Sequence, residues 1–329
     1  MCLLDSQPGS GLVHCRYYRA DWEGNYLDKP GLLPHGDVLP LLVRWNFVWV
    51  GGPLVRRECF ERVGAFDEIG SSVTADWDMW LRIALTGYRF GCIQHPVGVY
   101  RIHPDSMMSN VSDVERGTIS VLTRAFADPA LPDYIVPSKN QAMSVVRLWL
   151  GCLHYNAGRW DDGRRNLSIA ADLYPTLLTQ PAQITRLLCN IALSHRVDDP
   201  PQFVADVLDH LPASAQELRR HQAYISNQLY MQLAMRSYGL GEVDRAQDHI
   251  SKALAHIPAS HAKAGEFGDL LARAAMHLPV QDPIRYVGFV LQNLPDQARP
   301  LKRSRRWALN QTHLRLARQA SLSSARWRV

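Results

Sequence analysis

The sequence has no apolar run of the roughly 18 residues that a membrane-spanning helix needs, and its mean hydropathy is −0.19. We therefore expect no membrane span. Its six cysteines are scattered without a C-x-x-C pair. No signal peptide is recognisable, because Asp5 and a Pro-Gly pair interrupt the start. These absences predict a protein of the reducing cytoplasm.

Acidic residues are missing from the end of the chain. Residues 299–329 contain nine Lys or Arg and no Asp or Glu, although the net charge of the whole chain is only +5. No nucleic-acid motif accompanies these arginines, so we expect no nucleic-acid binding. In helical projection, Trp307 and Leu314 fall opposite Leu309 and Leu316, and no apolar face for a membrane surface results. We predict a solvated, partly disordered basic tail that at most attracts an anionic membrane surface.

The first hundred residues mix strand and helix signals. Strands are predicted over 12–18, 53–57, 90–93 and 97–101, and short helices over 37–44 and 58–63. A longer helix is predicted from Thr74, which can cap it, to Gly87. Asp76 and Asp78 lie in its first turn, and its apolar residues recur at helical spacing. This part is therefore predicted to be α/β.

Several motifs follow one another in a set order over residues 10–110. They are GLVH at 11–14 with Gly24, PLVRRECF at 53–60, VGAFDE at 63–68, ADWDMWLR at 75–82 and YRIH at 100–103 with Ser106. Together they resemble the second half of a family 2 glycosyltransferase of the GT-A fold. The resemblance implies inverting transfer of a sugar from a nucleotide-diphosphate donor to a hydroxyl of a glycan or lipid-linked acceptor, with Mg²⁺ or Mn²⁺ as the metal.

The resemblance also implies roles for single residues. The acid at the position of Asp76 is the base that removes the proton from the acceptor hydroxyl. The other implied site residues are Arg101 and Ser106 for the substrate and His103 for the metal. Trp77 could stack on a sugar ring of the substrate, although buried aromatic residues more often belong to the core. The family usually has a Glu immediately before this Asp, where this chain has Ala75. From position alone, Asp76 could instead cap its own helix, and His103 could be structural.

The resemblance begins in the middle of the family's domain. A complete GT-A domain starts with a strand-helix-strand nucleotide-binding half that ends in an acid-x-acid metal site. Residues 1–125 are expected to lack that half, so the chain alone should bind a nucleotide sugar poorly and be inactive. Residues 76–78 also spell acid-x-acid, but their place at a helix start indicates a coincidence.

The second half of the sequence is repetitive. Pro129, Pro132 and Pro137 mark residues 126–139 as a linker and domain boundary. Over 140–298 an all-α domain is predicted, because positions such as Leu150, Gly158, Leu167 and Pro175 match Leu233, Gly241, Ile250 and Pro258 at an offset of 83. Each unit of about 34 residues resembles the tetratricopeptide repeat, a stacked helical hairpin. Residues 184–212 are at best a degenerate middle copy.

Two functions stay open at this point. One is an enzyme, in which the first part supplies the acceptor side of glycosyl transfer. The other is a protein-interaction module, in which the helical repeats bind a protein partner and the catalytic remnant is inert. A strand-rich segment with an acid-x-acid motif in frame upstream would favour the enzyme.

Overall fold

The computed structural model describes residues 2–28, 30–67, 72–103, 106–194, 196–261 and 263–324. The chain forms two compact units, Met1–Leu177 and Leu178–Val329. The first begins with a mixed α/β layer and continues with helices, and the described part of the second is helical. No helix in these ranges is long and apolar enough to cross a membrane.

The first unit contains a small mixed sheet built around β1 (Ser10–Ala20). One edge of β1 pairs in parallel with β4 (Arg89–Arg101), and the other pairs antiparallel with β2 (Tyr26–Asp28) and β3 (Leu54–Val55). The two strands predicted within 90–101 are thus one. Pro96 interrupts it only as an irregularity of register opposite Arg16, because proline cannot donate a ladder hydrogen bond.

Among the described residues of the first unit, seven α-helices surround or follow this sheet. They are α1 (Cys2–Asp5), α2 (Leu39–Leu42), α3 (Arg57–Val63), α4 (Ala75–Leu85), α5 (Val111–Ala127), α6 (Lys139–Asn156) and α7 (Trp160–Leu173). Thr74 takes the predicted N-cap position of α4, but its side chain forms no capping hydrogen bond. Most side chains of α4 are buried, so this helix lies inside the core.

Residues 126–139 do not separate the two compact units. Leu131 and Ile135, which lie between the prolines, are buried in a core that extends from Leu12 to Leu153. The units part instead at Leu177 and Leu178. The predicted domain boundary is therefore corrected, because buried apolar residues tie this segment to the core on both sides.

The repeat is longer than a single hairpin. Helix α6 begins at Lys139 and α11 (Gln222–Gly239) at Gln222, and α7 and α12 (Val243–His256) begin at Trp160 and Val243, so both pairs are 83 residues apart. The same offset relates α9 (Pro181–Ala192) to α13 (Ala264–His277), and α10 (Pro200–Asp209) to α14 (Pro283–Gln292). A short helix α8 (Thr176–Thr179) precedes α9. Residues 184–212 are thus the second hairpin of an 83-residue repeat, not a degenerate copy of the first.

A Leu-Pro pair precedes the first helix of every copy. In each connection the backbone N–H three residues after the proline donates to the proline carbonyl, at 2.9 Å from Ile135 to Pro132, 3.0 Å from Ala215 to Pro212 and 2.9 Å from Ala298 to Pro295. The preceding leucines are all buried: Leu131, Leu211 and Leu294. The Pro-rich segment is therefore the first of three connections that share this turn, although its 3-10 helix is 3 residues long and those of the other two are 9.

The basic segment is not the solvated tail that we predicted. The 3-10 helix Asp296–Ser304 is followed by α15 (Arg305–Ser324), which starts 83 residues after α11. Helix α15 therefore corresponds to α6 and α11, the first helices of the two preceding copies. Ala308 and Thr312 are fully buried on one face of it. This buried face consists of small residues, so a helical projection that considers only large apolar residues does not show it. Residues 325–329 lie outside the described ranges.

Candidate functional site

Two tryptophans of α4 form hydrogen bonds with the loop that contains Asn46. The indole N–H of Trp77 donates to the Leu42 carbonyl at 2.8 Å, and that of Trp80 donates to the Val48 carbonyl at 3.2 Å. Both rings are buried. These bonds fix residues 42–48 against α4, so that Asn46 lies beside the first turn of the helix.

The carboxylate of Asp76 lies in that first turn. Its Oδ1 accepts from the backbone N–H of Trp77 at 2.7 Å, and its Oδ2 accepts from the Asn46 amide at 3.3 Å. The amide is itself oriented, since its Oδ1 accepts from the Val48 N–H at 3.1 Å. Burial raises the pKa of the Asp76 carboxyl above its ordinary value, while the two hydrogen bonds oppose the rise. The result is an oriented, half-buried carboxylate that binds a proton more tightly than a surface aspartate does.

Asp78, the second acid of this turn, has structural partners. It is 2% exposed, and its Oδ2 accepts from Arg82 Nε at 2.7 Å. Arg124 on α5 lies 3.5 Å from its other oxygen. Because the buried carboxylate is neutralised inside the protein, Asp78 does not pair with Asp76 to form a metal site.

Arg101 and His103 come together at the end of β4 through Trp22. The guanidinium carbon of Arg101 lies 5.9 Å from the Trp22 ring centre, and the His103 ring centre lies 6.0 Å from it. The Trp22 ring is 64% exposed. Asp76 forms no hydrogen bond or ion pair with either residue in the part of the chain that the structure describes. The structure therefore brings these two together without joining them directly to Asp76.

An aromatic cluster links the loop of Asn46 to the end of β4. The Trp49 ring centre lies 5.0 Å from that of Tyr17 and 6.2 Å from that of Tyr100. At Gly98, an added Cβ would meet the Trp49 ring at 2.7 Å. Glycine at this position is therefore needed for Trp49 to lie on β4. The cluster places the loop beside the strand that ends at Arg101.

Trp77 and Ser106, the expected substrate contacts, have other partners in the structure. Trp77 is 5% exposed, which contradicts a stacking role, because a buried ring cannot meet a sugar. Ser106 lies 3.3 Å, oxygen to oxygen, from the Ser109 hydroxyl, and its backbone N–H donates to the His103 carbonyl at 3.2 Å. Ser106 thus forms part of the turn that follows His103.

The described residues do not supply a site for the expected divalent metal. Within them, no three His, Cys, Asp or Glu side chains converge, and the His103 ring packs beside Trp22. Mg²⁺ and Mn²⁺ need several oxygen or nitrogen ligands in a near-octahedral arrangement. Among the described residues His103 is a single candidate ligand, and its metal role stays a prediction.

Asn46 is a site residue that the sequence analysis did not single out. The only local feature that marks Asn46 in the sequence is its position between two aromatic residues, Trp45 and Phe47. The contact that matters joins residues 30 positions apart, and no local pattern shows such a contact.

Comparison with known proteins identifies no relative. No family model matches the chain, and no match is found among curated proteins or solved structures. The functional assignment therefore rests on the residues described above.

Proposed function

We propose that the first unit supplies the acceptor side of an inverting glycosyltransferase, with Asp76 as the base that takes the proton from the acceptor hydroxyl. The observation that carries this proposal is the half-buried Asp76 carboxylate at a helix start, oriented by Asn46. Direct displacement at the sugar needs one such carboxylate within hydrogen-bond reach of the attacking oxygen. The donor is a nucleotide-diphosphate sugar, and the acceptor is a hydroxyl of a glycan or lipid-linked molecule.

The electrostatics of Asp76 support this role. Because burial raises the pKa of its carboxyl, the carboxylate accepts a proton more readily than an exposed aspartate would. Arg101 is the residue that we assign to the donor diphosphate, since a guanidinium can form two parallel hydrogen bonds with phosphate oxygens. Its position against the exposed ring of Trp22 leaves it at the protein surface.

Turnover of an Asp76→Asn variant tests the proposal. The resemblance implies that the donor-binding half is not within residues 1–125, so the assay fuses the chain to a nucleotide-binding half of a family 2 enzyme and supplies Mn²⁺. The amide keeps the shape of the carboxylate but cannot accept the proton. We expect kcat to fall about 10²- to 10⁴-fold while the donor Kd stays nearly unchanged.

Asp67→Asn is the matched control. The Asp67 side chain is 56% exposed and lies 3.3 Å from the exposed Arg124, so the same chemical change should leave turnover intact. The acid limb of the kcat/KM profile should lie above the ordinary pKa of aspartate and disappear in Asp76→Asn. Full turnover by the Asp76→Asn fusion would show that Asp76 only caps its helix.

A further inference from the structure

The second unit contains a cavity of about 940 Å³ lined by α9, α11 and α13. Most of its lining side chains are polar, with arginines, amides and a threonine among them. Pockets for drug-like ligands are lined mainly by apolar groups. A cavity of this composition suits a ligand that is polar over most of its surface.

Two arginines of this cavity form no ion pair with a carboxylate in the described structure. Arg186 on α9 and Arg273 on α13 both line it, and neither takes part in an ion pair or hydrogen bond within the described ranges. Burial lowers the pKa of the Arg273 guanidinium, and the positive charges of Arg315 and Arg186 lower it further, against an opposing effect of Asp269. An anion between these guanidinium groups would relieve their mutual repulsion.

A buried hydroxyl also points to a ligand. Thr185 is 3% exposed, lines the cavity, and has no hydrogen-bond partner for its Oγ1 in the described structure. Leaving such a group unpaired is unfavourable. Gln183 and Asn190 line the same cavity, and their amides are not engaged in a side-chain hydrogen bond there. Hydroxyl and amide groups both donate and accept, which is what sugar hydroxyls require.

Two carboxylates in the cavity limit the kind of anionic ligand that it can bind. Glu266 and Asp269 line it as well. Glu266 lies 3.7 Å from the Lys263 amine, and Asp269 accepts from the Trp307 indole at 3.1 Å. These carboxylates would repel a dense polyphosphate, yet they can accept hydrogen bonds from hydroxyls. The cavity therefore favours isolated negative charges among many hydroxyl groups.

We propose that this cavity binds an acidic oligosaccharide, whose carboxylates pair with Arg186 and Arg273 and whose hydroxyls bind Thr185, Gln183 and Asn190. The inference goes beyond glycosyl transfer and does not depend on it. Binding is measured without any transfer reaction, so its outcome is independent of the role of Asp76.

Calorimetry on the whole chain tests this with three probes of matched length. They are tetragalacturonate, its uncharged methyl ester, and tetraglutamate, which has the same carboxylates without the hydroxyls. We expect the ester and the peptide to bind at least about tenfold more weakly than tetragalacturonate. Equal binding of tetraglutamate would overturn the proposal in favour of a protein ligand. Equal binding of the ester, or no binding of tetragalacturonate, would also overturn it.

Single substitutions locate the site. Arg186→Gln and Arg273→Gln should each weaken tetragalacturonate binding about tenfold, whereas Arg285→Gln, which removes an exposed charge of α14 outside the cavity, should not. Thr185→Val keeps the side-chain volume. It should weaken binding about fivefold while raising the Tm of the free protein, because valine leaves no unpaired hydroxyl. Unchanged affinity in Arg186→Gln, Arg273→Gln and Thr185→Val would place the ligand elsewhere and overturn the assignment.

Discussion

Burial shifts the pKa values of His14 and Asp76 in opposite directions. His14 is 1% exposed, and its Nε2–H donates to the Pro34 carbonyl at 2.9 Å. Burial lowers the pKa of His14 from 6.5 to about 4, and it raises that of Asp76. The cause is the same for both, since a low-dielectric environment disfavours the charged form of a base and of an acid alike.

The His14 shift predicts a loss of stability in acid. Between pH 6.5 and about 4, the unfolded chain binds a proton at this residue and the folded chain does not, so the free energy of unfolding falls as pH decreases. At ~1.36 kcal/mol per pH unit, the full effect is about 3 kcal/mol. The His14→Gln variant keeps a hydrogen-bond donor for the Pro34 carbonyl and does not titrate. Its free energy of unfolding should therefore fall less than that of the parent when the pH is lowered.

Urea unfolding at pH 7 and pH 4.5, followed by tryptophan fluorescence, measures this difference. The signal reports mainly on the first unit, which holds most of the tryptophans. Asp76→Asn should show the opposite change and lose more stability than the parent in acid, because a raised carboxyl pKa favours the folded state as pH falls. Identical pH dependence in the parent and His14→Gln would contradict the assignment.

At the scale of elements, equivalent hydrogen bonds hold the first hairpin of each copy. The Ser144 hydroxyl donates to the Ala170 carbonyl at 2.7 Å, and the Asn227 amide donates to the Ala253 carbonyl at 2.9 Å. The donors and the acceptors are each 83 positions apart, as are the helix ends. A serine in one copy and an asparagine in the other thus form the same hydrogen bond, because each side chain reaches a carbonyl near the end of the facing helix.

Alanine at two glycines should change stability in opposite directions. Gly241 joins α11 to α12 with a φ of +80°, which costs an alanine about 1–2 kcal/mol. Gly288 lies inside α14 with no atom within 4 Å of an added Cβ, so alanine there should add about 0.5–1 kcal/mol through helix propensity. Urea unfolding followed by circular dichroism compares the two. Changes of the same sign would contradict the prediction.

At the scale of the molecule, the repeat and the compact units divide the chain differently. The units part at Leu177 and Leu178, within the first 83-residue copy. Leu150 and Leu153 of the first hairpin belong to the same core as Trp80. The second copy has its own core, to which Leu271 belongs. Shared buried surface, rather than sequence repetition, decides which helices form one unit.

Cavity-forming substitutions should therefore affect one unit each. Leu150→Ala and Leu271→Ala both remove a fully buried side chain, at a cost of about 2–5 kcal/mol. Native-state hydrogen exchange should show lost protection within 2–177 for the first variant and within 178–324 for the second. Loss of protection across both ranges in either variant would show that the units unfold together.

The sequence by itself determined the local features of this protein. The strand predicted over residues 12–18, observed as Ser10–Ala20, and the helix that begins after Thr74 followed from patterns over a few neighbouring positions. The two hairpins followed from the recurrence of such patterns at an offset of 83. Caps, glycine turns and apolar periodicity depend on nearby residues, and so a single sequence contains them. The functional interpretation of Asp76 came from motif order and is still a proposal.

Only the tertiary structure decided which residues are buried and which meet. It placed Trp77 in the core, brought Asn46 to Asp76, and joined residues 126–139 to one core. It also packed α15 through Ala308 and Thr312, and lined one cavity with arginines from α9 and α13. Each of these facts depends on contacts between residues far apart in the chain, which burial and packing select and local propensity does not encode.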